Sequence, residues 1–312
     1  MKDVVAIKPY SEPGRPVFKI YPYQAWKRCG GKVRSYYVPR ILHGVLFRCQ
    51  FPSLWKSNSQ AHLCFVQPES LTFDTFPSYL QYEIIPFIWD CWPGYFEKVC
   101  NWLMRNNVRT AFFTSSQTAS LMKQRFPEMN ILFVPEGIDT AIYRTGKDLK
   151  DRSIDMLFYG RPIDHVVNYH LDSNAHVYKL GGLKGKKLIH TQEDLYEKLS
   201  DSKIVAAFPQ SMTAPQRAGN IETLTQRYWE NMLSRIVMVG YAPKELIDLI
   251  GYNPVVELDR EHPNEQINKI LAHIEDYQSL VDKNRKTALR LGDWASRMNE
   301  IMNFLNQRGY KV

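Results

Sequence analysis

The chain has no run of 18 or more uninterrupted apolar residues, which excludes a simple membrane-spanning helix. Its start, Met1-Lys2-Asp3 ahead of the brief Val4-Val5-Ala6-Ile7 run, is too short and too acidic for a signal peptide, so a cytoplasmic protein is expected. Cysteine is scarce: Cys29, Cys49, Cys64, Cys91 and Cys100 all lie in the first third, are odd in number and form no Cys-x-x-Cys pair. Neither a disulfide framework nor a thiolate zinc site is expected. His62, His165 and His170 lack ligand spacing, and no Asp-x-Asp pair occurs anywhere, so no metal is expected. Internal repeats at periods of about 20 to 50 residues are absent too, which removes the solenoid and propeller classes.

What is present is enough chain for two cores: 312 residues is about twice the commonest domain size. The net charge of +8 is unevenly spread. Residues 1–147 hold 18 Lys+Arg against 10 Asp+Glu, while the remaining 165 residues are balanced. A basic first half beside a neutral second half points to an anionic partner for the first, whether lipid phosphate, a membrane surface or nucleic acid; a solvated basic face without a partner is the plainer alternative. The stretch from Tyr21 to Tyr37, with Trp26, Lys27, Arg28, Lys32, Arg34 and Tyr36, mixes aromatics with cations and suits a membrane interface, an anionic acceptor or stacked bases. A core strand pair with a basic turn accounts for it equally well.

From residue 82 the pattern becomes regular. Strands are expected at 83–89, 110–114 and 130–134, with helices at 94–106 and 116–125 between them. After a polar stretch at 143–151 the alternation restarts, with strands at 154–159, 176–180, 203–208 and 236–240 and helices near 164–171, 191–200 and 222–234. Short apolar strands alternating with amphipathic helices mean parallel α/β sheets, here in two Rossmann-like doubly wound lobes with a cleft between them. The first lobe is expected over 1–145 and the second over 146–292. Two tail helices, 264–290 and 293–308, follow, the last packing back onto the first lobe.

The stretch from Pro209 to Glu230 carries the chemistry. A strand ends, a loop with Pro215, Arg217, Gly219 and Asn220 follows, and a helix is expected to begin at Glu222. In an open α/β sheet the carboxyl ends of strands border the ligand crevice, and a helix N-terminus offers backbone N–H groups to phosphate. Glu222 and Glu230, eight residues apart, would lie roughly 12 Å apart along one helix. That span suits one carboxylate on sugar hydroxyls and one on ribose hydroxyls across a diphosphate.

Glu222 to Glu230 resembles the Glu-x7-Glu motif of retaining GT-B glycosyltransferases. Val134-Pro135-Glu136-Gly137-Ile138-Asp139 is similar to that family's first-lobe end, and Phe158-Tyr159-Gly160-Arg161 to its Gly-Arg strand end. Tyr228-Trp229-Glu230 through Gly240 resembles the branch found in bacterial capsule and spore-coat polysaccharide clusters. The resemblance covers roughly residues 82–260. It implies a nucleotide-diphosphate sugar as donor, a glycan or lipid-linked acceptor, no cofactor, and work in the cytoplasm or on the inner face of the membrane. It implies that Glu222 meets the donor sugar, that Thr223, Leu224 and Thr225 approach the diphosphate by backbone N–H, that Arg161 beside Gly160 neutralises phosphate, and that Glu230 binds ribose; Arg217, Gly219 and Asn220 line the same donor site. The family's lysine after the Gly-Arg arginine is missing here, with Arg217, Arg227 or Lys184 as substitutes. Ser234-Arg235 replaces a usual small-residue–glycine step. Asp90, in Phe87-Ile88-Trp89-Asp90-Cys91-Trp92, is the candidate for acceptor contact or base, with capping of the next helix as its structural alternative. Other functions open at this point are a DNA-modifying glycosyltransferase gripping duplex phosphates with the basic lobe, a nucleotide-sugar epimerase, and a non-catalytic sugar-nucleotide binding subunit.

Overall fold

A computed structural model describes residues 1–8, 20–36, 44–45, 57, 59–161, 163, 166–167, 169, 177–180 and 191–312. Lys184, His165, His170, Cys49 and most of the helix expected near 164–171 lie outside them. The chain divides into two compact units: Met1–Glu136 with Trp294–Val312, and Gly137–Asp293.

The first unit is built on parallel strands β1 (Lys2–Lys8), β2 (Lys32–Ser35), β3 (Gln60–Val66), β4 (Glu83–Ile88), β5 (Thr110–Phe113) and β6 (Asn130–Phe133), joined by β12 (Tyr310–Lys311) from the C-terminus. Their order is β12-β1-β3-β4-β5-β6, with β2 also on β1. Its helices are α1 (Tyr21–Arg28), α2 (Leu71–Thr75), α3 (Phe96–Arg105) and α4 (Ser116–Arg125). The central strands are near-continuous apolar runs because both faces are covered, as parallel sheets require. The period of two sorts them: Val5, Ile7, Cys64 and Ile84 pack with Val99 and Leu103 of α3, whereas Val4, Ala6, Leu63, Ile85 and Phe87 pack on the other side. That second side is covered by α1 and by the C-terminal helix, whose Trp294, Met298, Ile301 and Leu305 recur at helical spacing. The C-terminus is then pinned as an edge strand. Tyr310 donates to Glu83 Oε1 at 2.6 Å, and Lys2 pairs with the other oxygen. Burial alone would raise the Glu83 carboxyl, but these two partners hold it below its usual range.

His62, on β3, is fully buried and stacks on Tyr82 with ring centroids 3.9 Å apart. Burial, aided by the Arg34 charge, lowers its pKa from 6.5 to about 4. The imidazole is therefore neutral in the fold. Above pH 6.5 neither the folded nor the unfolded state carries the proton and this contribution is complete; as pH falls towards 4 only the unfolded state binds it, and stability is lost. Relative to His62→Phe, the natural protein is expected to lose up to about 3 kcal/mol between pH 6.5 and 4. Urea titrations across that range check it, and a pH-independent difference between the two proteins would refute it.

The second unit holds β7 (Ile154–Tyr159), β8 (Val177–Leu180), β9 (Ser202–Ala207), β10 (Val237–Gly240) and β11 (Val256–Glu257), all parallel, in the order β11-β10-β9-β7-β8. Its helices are α5 (Gln192–Ser200), α6 (Gln210–Thr213), α7 (Pro215–Ala218), α8 (Gln226–Leu233), α9 (Lys244–Ile250), α10 (Pro263–Ala272) and α11 (Gln278–Leu291); α12 (Trp294–Asn306) belongs to the first unit. Thr191 and Asp194 close a reciprocal capping box at the start of α5. On one sheet face Leu157, Val205 and Met238 meet Tyr228, Trp229, Met232 and Leu233 of α8; on the other Met156, Ile204, Val237 and Val239 meet Ile267 and Ile270 of α10. The tail helix expected at 264–290 is broken. His273 leaves helical geometry at φ −124°, ψ 37°, and a 3₁₀ turn over Ile274–Tyr277 separates α10 from α11.

Candidate active site

In the second sheet the chain runs from β7 outward to β8, then returns to lay β9 on the opposite side of β7. That reversal is a topological switch point, where carboxyl ends of strands diverge and leave a crevice. Tyr159-Gly160-Arg161 ends β7 there, and Phe208-Pro209-Gln210 follows β9. Gly160 has φ +84°, a left-handed conformation that glycine adopts without strain.

Packed against this edge, α8 presents Arg227, Glu230 and Asn231 on neighbouring turns. The Glu230 carboxylate receives two phenolic hydrogen bonds: Tyr143 Oη donates to Oε1 at 3.0 Å and Tyr159 Oη reaches Oε2 at 3.1 Å. Tyr159 Oη also lies 2.8 Å from the side-chain oxygen site of Asn231. Burial raises the Glu230 pKa, opposed by the Arg227 charge and by the two hydroxyl donors. Burial and the neighbouring carboxylate push both tyrosines above their ordinary range, so they remain protonated donors. A carboxylate oxygen has two acceptor positions, so each can take one further O–H while keeping its tyrosine. The arrangement is a fixed, partly screened acceptor pair of the kind that recognises a vicinal diol.

The approach to α8 differs from the sequence expectation. The helix begins at Gln226, not at Glu222, and Glu222 and Glu230 do not share one helix axis. A tertiary hydrogen bond accompanies the change: the buried Glu245 carboxylate, in the first turn of α9, accepts the Leu224 N–H at 2.9 Å. The 222–225 segment is not helical, and Thr225 is extended at φ −93°, ψ 159°. The Leu224 N–H is therefore committed within the protein. Thr223 and Leu224 are buried, while Glu222 and Thr225 are half-buried. The Thr225 side chain does not cap α8, so the first-turn N–H groups of Gln226 and Arg227 receive no hydrogen bond from it. The stretch before it, read as a loop, forms the short helices α6 and α7 and turns at Gly219, whose φ of +55° suits glycine. Arg217 and Asn220 are exposed on this turn, and Arg161 is half-buried.

Asp90 lies in the first unit, two residues beyond the central strand β4, and its backbone is left-handed at φ 51°. Non-glycine residues adopt that conformation at a cost, and such outliers gather at functional sites. It does not cap the following helices, whose N-cap residues are Trp92 and Tyr95. Thr118 Oγ1 donates to Cys91 O at 3.2 Å and fixes the loop that carries it.

No protein-family model matches the sequence, and no curated protein does. Solved structures do. The protein HepE of Anabaena, solved with UDP and glucose, aligns with a TM-score of 0.60 at 12% identity over 98% of this chain and 100% of that one. The sucrose-phosphate synthase of Thermosynechococcus elongatus gives 0.60 at 13% identity, with 99% of each chain covered. A DNA-modifying β-glucosyltransferase, studied with and without its substrate uridine diphosphoglucose, gives 0.56 at 12% identity over 97% of this chain and 99% of that one. The fold is that of the GT-B glycosyltransferases.

In this GT-B fold the second unit supplies residues with no counterpart among those expected from the sequence: Tyr143 and Tyr159 on Glu230, Asn231 on Tyr159, and Glu245 on the Leu224 N–H. Tyr159 was within reach, because the strand period puts it on the same face as Leu157, towards α8. Asn231 adjoins a residue already chosen. Tyr143 lies in a polar stretch with no periodicity, and Glu245 acts across 21 residues on a backbone N–H; neither leaves a local signal.

Proposed function

We propose that this chain is a nucleotide-sugar-dependent glycosyltransferase that retains anomeric configuration, needs no metal, and delivers its sugar to a glycan or lipid-linked acceptor in polysaccharide assembly. The observation that carries this reading is the Glu230 carboxylate held by Tyr143 and Tyr159 at the switch point of the second sheet. Glu230 takes the ribose diol. Arg161 and the uncapped first turn of α8 take the diphosphate, and Glu222 the sugar hydroxyls. Gly160 and Gly219 let the backbone approach the ligand, with Thr223, Thr225, Arg217 and Asn220 bordering it; Leu224 supports the loop through Glu245 instead of contacting phosphate. Asp90 serves the acceptor as contact or base. The charge that grows on the leaving diphosphate is met by fixed cations and helix N–H groups, which suffice without a metal.

Glu230→Ala is expected to weaken nucleoside-diphosphate binding by about 1.5–3 kcal/mol, the range for hydrogen bonds to a charged group. Because the alanine also strands two tyrosine hydroxyls, Glu230→Gln, which keeps an acceptor for one of them, serves as the fold control. Calorimetric titration with UDP and GDP checks both, and unchanged affinity for the nucleotide that the natural protein binds removes the ribose assignment.

The basic surplus of the first half supports peripheral docking on anionic lipid or a lipid-linked acceptor. Among the described residues Lys27, Arg28, Lys32 and Arg34 are exposed on α1 and β2. Flotation with anionic liposomes is expected at low salt and lost towards 0.5 M, where the screening length is only about 4 Å. Equal recovery with neutral liposomes refutes it. The same surplus favours duplex DNA as the second acceptor reading, and salt-sensitive retention on DNA with none on liposomes would select it.

A further inference from the structure

The Arg227 guanidinium is unusually placed. It projects from the first turn of α8, lies over the Tyr159 ring with Cζ 5.1 Å from the centroid, and rests on the backbone of Gly160 so closely that a β-carbon there would fall on it. The side chain is half-buried, yet among the described residues no group forms a hydrogen bond or ion pair with it. Glu230 is near enough to feel its charge, and no ion pair joins the two among the described residues. A guanidinium has five donors, and orienting it on an aromatic shelf without satisfying them leaves it prepared for an anion. Its planar fork matches two phosphate oxygens at once.

We propose that Arg227 is a second cation, beside Arg161, that seats the diphosphate of the bound nucleotide, and that Gly160 is glycine for the guanidinium that occupies the space of a side chain there as well as for its positive φ. The proposal rests on the nucleotide-binding reading of the site. It extends that reading by selecting Arg227 from three candidate cations. Arg217 is exposed on a turn and has other contacts, and Lys184 lies outside the described residues. The Tyr159 ring orients the guanidinium. On binding, the diphosphate takes its donors from the crevice side while the ribose diol takes the second acceptor positions of Glu230, so one helix turn reads both parts of the nucleotide.

The test measures affinity of the full chain for a panel of nucleoside diphosphates, for the matching nucleoside, and for inorganic pyrophosphate. Arg227→Ala is expected to weaken the diphosphate and pyrophosphate about 10- to 100-fold while leaving the nucleoside within about twofold, with Arg227→Lys recovering part of the loss. Gly160→Ala is expected to weaken the same ligands both by displacing the guanidinium and by straining a backbone held at φ +84°, so its loss should be smaller in the Arg227→Ala background than in the natural protein, the strain being common to both. Undiminished diphosphate affinity in Arg227→Ala overturns the proposal while the nucleotide reading stands, as does equal loss for nucleoside and diphosphate. If the natural protein binds pyrophosphate through Arg227 but no nucleotide, the anion seat stands and the nucleotide reading falls. If it binds neither, both fall.

Discussion

Arg161→Ala is expected to lower kcat/KM for sugar transfer by about 10²–10³, equivalent to about 2.7–4 kcal/mol of lost transition-state stabilisation. Arg161 follows Gly160 just beyond the carboxyl end of β7 and is half-buried. As the bond to the sugar breaks, the bonding pair passes to the diphosphate oxygen, and a cation fixed in advance stabilises that charge more in the transition state than in the bound donor. The loss should therefore fall mainly on kcat. Arg227 acts on the same charge, so a double variant is expected to fall short of the product of the two single losses. Transfer is expected to persist in EDTA, with the anomeric configuration retained. Steady-state kinetics with product NMR check all three. A kcat/KM within threefold of the natural value removes Arg161 from this role, activity abolished by EDTA and restored by Mn²⁺ overturns metal independence, and an inverted product overturns retention.

The parallel α/β architecture was legible from residue 82 onward because buried strands such as Glu83–Ile88 and Ile154–Tyr159 are short apolar runs separated by helices of ordinary length. The first 80 residues were not readable in the same way. There β1 and β3 are separated by a long stretch without regular alternation, and the exposed strand β2 has no apolar face to betray it. Local signals also misplaced the start of α8. The segment from Glu222 continues the polar–apolar pattern of the helix, and a carboxylate from α9 holds its Leu224 N–H elsewhere. A tertiary hydrogen bond, invisible to periodicity, thus commits one of the backbone N–H groups that the resemblance assigns to the diphosphate. The same limit explains Glu230. Its residue type and spacing suggested a polyol contact, but the tyrosines that orient it come from positions 71 and 87 residues earlier.

Trp294→Ala is expected to destabilise the first unit by about 3–5 kcal/mol, the range for truncating a buried tryptophan. Trp294 opens α12 and is fully buried, with edge-to-face contacts to Phe87 at 6.0 Å and Trp89 at 6.2 Å. Those partners sit at the carboxyl end of the central strand β4, immediately before Asp90. The indole therefore closes the sheet face beneath the candidate acceptor residue, using chain from the opposite terminus. No smaller neighbour can fill the space, because Met298, Ile301 and Leu305 cover their own stretches of the same face. For a unit of this size the melting transition should fall by about 6–20 °C. Trp294→Phe should cost much less. It retains an aromatic edge for both contacts and removes an indole N–H that has no hydrogen-bond partner among the described residues, which offsets part of the lost packing. Scanning calorimetry of the three proteins checks this. A shift under about 2 °C for the alanine variant would mean that α12 contributes little to the first core, and equal losses for alanine and phenylalanine would mean that the indole ring itself, not aromatic packing, holds the sheet face closed.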